Sequence, residues 1–213
     1  MESDAQLRDT MEEIARDAAR LCDALHAAVS SEARCAALDA LRDACGCATN
    51  AHSDAERERM HNVAAQLLAR GAVQQLTTLG AEAAADTHVQ TKALSALAHL
   101  VNACLCGNTE CDIMLEAAAQ LEACGSAATV FSLVQHSECA VAVQAALCTS
   151  MMSALYSSVD SDAVTAAAAS RGFLRRCCAS QLVVVTLYAS ARRCCCVWWP
   201  QCSNATPPRP RRC

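Results

Sequence analysis

The groups spaced closely enough to do chemistry in this sequence are thiols and imidazoles. Cys45-Gly46-Cys47 lies near His52, Cys104-Leu105-Cys106 lies near Cys111, and Cys22 stands four residues before His26. Such donors suit zinc. Structural zinc sites, however, use paired C-x2–4-C knuckles, and this chain has no pair of such pairs. Four apart on a helix is also the spacing of two core residues, so Cys22 and His26 define no ligand pair by themselves. The expectation is ordinary thiols, no metal and no cofactor. A Ser or Cys nucleophile needs a base in reach and an oxyanion hole, usually at a strand-to-helix turn. No G-x-S-x-G elbow occurs, and His61, His88, His99 and His136 all fall in or beside helical patterns. Six glycines that never cluster exclude a phosphate-cradling loop. The chain is therefore read as no enzyme.

The elements that would carry these residues are helices. Hydrophobic residues make up 54% of the chain and aromatics only 3%, so the apolar mass is Ala, Leu, Val and Cys. Ala and Leu are strong helix formers, and small side chains let helices approach closely. The aromatic and β-branched runs a sandwich or barrel needs occur only near the C-terminus. A net charge of -5 gives no basic face for nucleic acid.

Seventeen cysteines in 213 residues approach the density of a secreted disulfide scaffold. The start, Met1-Glu2-Ser3-Asp4, is acidic and runs directly into an amphipathic pattern, with no basic or apolar region of a signal peptide. The sequence thus predicts a cytoplasmic protein whose thiols stay reduced and act mostly as small core hydrophobes.

Along the chain, Ser3 and Gln6 form a capping-box pattern ahead of a stripe of Leu7, Met11, Ile14, Ala18, Leu21 and Leu25. A second helix follows Ser30-Ser31 to about Cys45, with Ala33, Ala37, Leu38 and Leu41 expected inward, and Gly46 to Asn50 break it. Ser53 and Glu56 form another capping box for a helix through Met60, Val63, Leu67 and Leu68. Arg70-Gly71 ends it, and a short helix carries Val73, Leu76 and Leu79. Asp86 is the predicted N-cap of a long helix with Val89, Ala93, Leu94, Leu97, Leu100 and Val101. Further helices are expected near 110–124, 126–136, 139–158 and 162–170, the last followed by Gly172.

Three stretches read alike: Leu67-Leu68-Ala69-Arg70-Gly71-Ala72-Val73, Leu121-Glu122-Ala123-Cys124-Gly125-Ser126-Ala127 and Ala168-Ala169-Ser170-Arg171-Gly172-Phe173-Leu174. Their glycines are 54 and 47 residues apart, each where one helix must stop and another begin at a steep angle. Downstream, Val89-Gln90-Thr91-Lys92-Ala93-Leu94 is echoed by Val143-Gln144-Ala145-Ala146-Leu147, and more faintly by Ala33-Arg34-Cys35-Ala36-Ala37-Leu38. Two landmarks in the same order are the mark of an internal repeat.

With these landmarks the chain resembles the armadillo family, whose repeats run short helix, glycine corner, second helix, long third helix. The resemblance covers about residues 30–174 and implies an all-α fold: a short armadillo-like right-handed α-solenoid. It divides the chain into a repeat domain, 1–174, and an atypical tail, 175–213. The spacing exceeds the usual ~40 residues of the family. Peptide-binding members present a Trp and an Asn from the third helix, and here the corresponding positions hold Lys92 and Ala96, then Ala145 and Thr149. A solenoid leaves an extended surface open to partners. The resemblance therefore implies a non-catalytic protein-interaction module or scaffold, with Gln90, Lys92, His99 and Gln144 as the candidate partner-binding face. The other function in view is a truncated structural piece of a longer array; a thiol or metal-handling protein is a more distant one. Two to three units lie near the minimum for stability, which brings self-association into view.

After Leu174 the character changes. Seven of the seventeen cysteines lie beyond it, with Arg175-Arg176, Arg192-Arg193 and the Pro207-Pro208-Arg209-Pro210 end, which excludes a helix there. Cys177–Ala191 is apolar between arginine pairs, but its 15 residues fall short of the ~20 a membrane helix needs, so no span is expected. Cysteines beside arginines are also a lipidation context. The plain expectation is one more apolar helix and an irregular Cys/Arg/Pro-rich end. The tail enters in mid-repeat and shares no periodicity with what precedes it.

Overall fold

The computed structural model describes residues 4–46, 53–82, 86–105 and 111–159. Among them are eight α-helices and no strand: α1 (Asp4–Ala27), α2 (Ser31–Cys45), α3 (Asp54–Ala69), α4 (Ala72–Glu82), α5 (Thr87–Leu105), α6 (Cys111–Ala123), α7 (Ser126–His136) and α8 (Cys139–Ser158). The all-α class and the helix order follow the sequence pattern. The helix expected at 162–170, the Gly172 corner, the Ser3 cap and the tail from 175 lie outside the described residues.

Local signals set the starts. Ser53 accepts from the Glu56 backbone N–H at 3.1 Å while the Glu56 carboxylate accepts from the Ser53 N–H at 3.1 Å, so two free donors of α3 are satisfied reciprocally. Ser30 caps α2 by accepting from Ala33 N–H. Asp86 caps α5, accepting from the N–H groups of His88 and Val89 at 3.1 and 3.3 Å.

One inward assignment does not hold. Ala33 is exposed, while Ala37, Leu38, Leu41 and Cys45 form the buried face of α2. At 3.6 residues per turn Ala33 stands roughly 95° from the centre of that face, which carries it outside. On α1 the buried stripe is Ile14, Ala18, Cys22 and Leu25, with Leu21 only half-buried.

The two described corners are equivalent. Gly71 and Gly125 have φ of 70° and 61°, the left-handed region open to glycine without strain. Gly71 N–H donates to Leu68 O and Gly125 N–H to Glu122 O, at 2.8 and 3.0 Å. On the far side, Gly71 O accepts from Gln75 and Gly125 O from Thr129. Each of these pairs is displaced by the same 54 residues. At the second corner α6 and α7 meet at 63°.

Packing repeats as well. α5 lies between α2 and α8 and also carries α4, as α8 carries α7. α4 packs on α7, α3 touches α6, and α1 covers α2 and α3. One contiguous core runs through all eight helices, from Ile14 through Leu41, Leu67, Leu97 and Leu121 to Leu155. Polar bonds also run between helices that are distant in sequence. Thr77 Oγ1 lies 2.7 Å from Ser126 Oγ, Gln120 Nε2 donates to Leu68 O at 3.0 Å, and Arg70 Nη2 donates to Ala15 O at 3.3 Å.

Candidate functional site

The surface to weigh first is the row made by α2, α5 and α8, because the candidate residues sit on it. The 54-residue register puts Gln90 and Gln144 at the same place on α5 and α8, and the fainter echo puts Arg34 there on α2. Gln90 is buried at 8% exposure, whereas Gln144 and Arg34 are half-buried. Arg34 Nε donates to Ala28 O at 3.2 Å, so its guanidinium is partly engaged in finishing the turn between α1 and α2.

Lys92 is engaged too. Its ammonium donates to Asp39 Oδ2 across the α2–α5 seam, and Arg42 Nη1 reaches Asp39 Oδ1 at 3.1 Å. The Lys92 hydrogen bond, with the neighbouring positive charges, holds the Asp39 carboxyl below its ordinary range. Nearby, Asp86 is also held low, chiefly by a hydrogen bond from Ser31 and by the α5 backbone. His99 is half-buried, with Nδ1 at 2.8 Å from Ser95 O one turn earlier on its own helix. The four candidate residues therefore share two neighbouring helices without converging on one point, and Lys92 is spent on holding α5 to α2.

The thiols point to packing. Cys22 is buried while His26 is exposed, which directs the two away from a common ion. Cys104 donates to Leu100 O at 3.2 Å on its own helix. Burial pushes the Cys148 thiol up to about 12 and raises the Cys45 thiol as well, which keeps both protonated at neutral pH. Cys47, His52 and Cys106 lie outside the described residues. Among the described residues no three of His, Cys, Asp or Glu stand close enough to hold a metal ion.

One feature had no local signal in sequence. At the α1 side, α1, α2 and α3 enclose a groove of about 450 Å³. Buried Ile14, Ala18, Met60 and Val63 form its apolar part, and Asp17, Arg20, Glu56 and Arg59 supply charges of both signs around it. Its residues come from three separate helices, so only the tertiary arrangement brings them together.

No protein-family model, curated protein or solved structure matches this chain. Among the described residues no single helix is long and apolar enough to cross a membrane.

Proposed function

We propose that this chain is a non-catalytic protein-interaction module, a short armadillo-like right-handed solenoid whose open surface holds another protein. The observation that carries the proposal is the equivalence of the corners at Gly71 and Gly125, with the same hydrogen bonds 54 residues apart and the same order of packed helices around each. Stacked layers of this kind bury a shared seam and leave a long surface whose side chains are free to vary. The net charge of -5 favours a protein partner over nucleic acid, the buried thiols favour a reducing cytoplasm, and no cofactor enters the function.

The engagement of Lys92 and the burial of Gln90 shift weight from α5 toward Gln144 and toward the α1–α3 groove as the places a partner touches. The test is capture of partners by the full chain, repeated with Gln144→Arg and with Arg59→Glu. A partner lost with one of these substitutions, while the thermal midpoint stays put, supports the module. Identical capture by all three proteins puts the contact away from Gln144 and Arg59, and capture of nothing by any of them removes the module and leaves the structural-fragment reading.

A further inference from the structure

We propose that the apolar segment Cys177–Ala191 lies along Val143, Leu147, Met151 and Ala154 of α8, covering it as α8 covers α5. The inference rests on the repeat register, not on the partner-binding role.

The register makes the missing neighbour visible. Val143, Leu147, Met151 and Ala154 correspond, 54 residues on, to Val89, Ala93, Leu97 and Leu100 of α5. All four α5 positions are buried, at 1%, 0%, 0% and 0% exposure. On α8, Leu147 is 41% exposed, Ala154 is exposed, and Val143 and Met151 are only half-buried. The difference matches the packing: α5 has α2 on one flank and α8 on the other, whereas α8 packs mainly on α5 and α7. The spacing of these residues, four, four and three, makes one continuous stripe. The opposite side of α8, with Cys148, Met152 and Leu155, is already buried. No charged residue occurs anywhere between Cys139 and Ser158, so nothing along α8 repels an apolar cover.

The chain supplies a cover of the right chemistry at the right place. After Val159 come 54 more residues, and the uncharged run Cys177–Ala191 contains Leu182, Val183, Val184, Val185 and Leu187. The 17 residues from Asp160 to Arg176 extend at most ~55 Å, while α8 is ~30 Å long, so the run reaches the stripe in either direction. A tethered segment also meets the stripe at an effective concentration in the millimolar range, ahead of any second molecule.

The test is photocrosslinking of the purified full chain carrying p-benzoylphenylalanine at Leu147, with peptide mapping of the product. The exposed site tolerates the change without touching the core. A covalent link from 147 to a peptide within 177–191 of the same molecule, in a yield independent of protein concentration, is the expected result. A link to a second copy, a link to other parts of the chain, or no link overturns the proposal. So does protection of 177–191 from protease by added phosphatidylcholine vesicles, which would make the run a membrane contact.

Discussion

Thr77 Oγ1 and Ser126 Oγ stand 2.7 Å apart, both buried, and join the middle of α4 to the first turn of α7. Either hydroxyl alone in that setting would be an unsatisfied polar group. Ser126→Ala is therefore expected to destabilise the protein by about 1–2 kcal/mol, and adding Thr77→Val to cost clearly less than the sum of the two single changes. Urea unfolding of the four proteins of the cycle measures this, and strict additivity would show that the two hydroxyls do not depend on each other.

The Asp39–Lys92 pair predicts an acid-side dependence. Asp39 titrates below its ordinary value in the folded protein, so its contribution is complete above the unfolded value of about 4. It is lost as pH falls from there through the lower folded value. Both side chains are partly solvent-exposed, which keeps the coupling to about 0.5–1 kcal/mol. Lys92→Met is expected to lower the urea midpoint at pH 6 and to flatten its decline between pH 4 and 3. An unchanged acid slope would show that the ion pair contributes nothing to the seam.

Four glycines separate backbone freedom from space. Gly71→Ala and Gly125→Ala put a side chain at positive φ with no atom in its way, and each is expected to cost about 1 kcal/mol. Gly46→Ala is expected to cost more than either corner, because φ of 71° with ψ of 169° is open essentially to glycine alone; Met60 Sδ, 2.7 Å from the added Cβ, ends a flexible side chain that can move aside. Gly80 has the opposite sign. It lies inside α4, and a Cβ there meets Leu94 at an ordinary 3.5 Å, so Gly80→Ala is expected to stabilise by about 0.5–1 kcal/mol. Thermal midpoints of the four variants rank these effects directly.

Among the described thiols, accessibility orders reactivity. Native alkylation at pH 8, read per residue by peptide mass spectrometry, is expected to modify half-buried Cys35 and Cys124 before buried Cys45 and Cys148. Alkaline pH gives a linked effect. Cys148 is held protonated up to about 12 in the fold, whereas an unfolded thiol ionises near 8.5. The unfolded state therefore loses its proton first, and stability falls as pH rises from about 9 toward 12. Cys148→Ala should weaken that fall, and an unaltered alkaline slope would place its origin elsewhere.

What the sequence made legible was whatever is written locally. The Ser53–Glu56 box, the Asp86 cap and the corner glycines each act within four residues, and all are found where their spacing puts them. The 54-residue spacing pairs Gly71 with Gly125, and both have positive φ and the same flanking hydrogen bonds. Ala33 was misread because a run of alanines carries little sign of which way a helix faces. Lys92 looked available because nothing near it in sequence is acidic; its partner lies 53 residues back and is brought close only by packing α5 on α2. The groove between α1, α2 and α3 had no signature for the same reason. Gln120 carried a signal that went unused. It corresponds to Gln66 in the same register, and it is the residue that ties α6 to the end of α3.

The first and last described helices differ in kind. α1 turns Arg8, Asp9, Glu12, Glu13, Arg16 and Arg20 to water, so that side repels further layers, while the bare stripe of α8 invites one. A body adhesive at one end alone cannot polymerise head to tail. Should Cys177–Ala191 be pulled away, association through α8 would stop at a pair of molecules, and aggregation of the folded protein would be self-limiting.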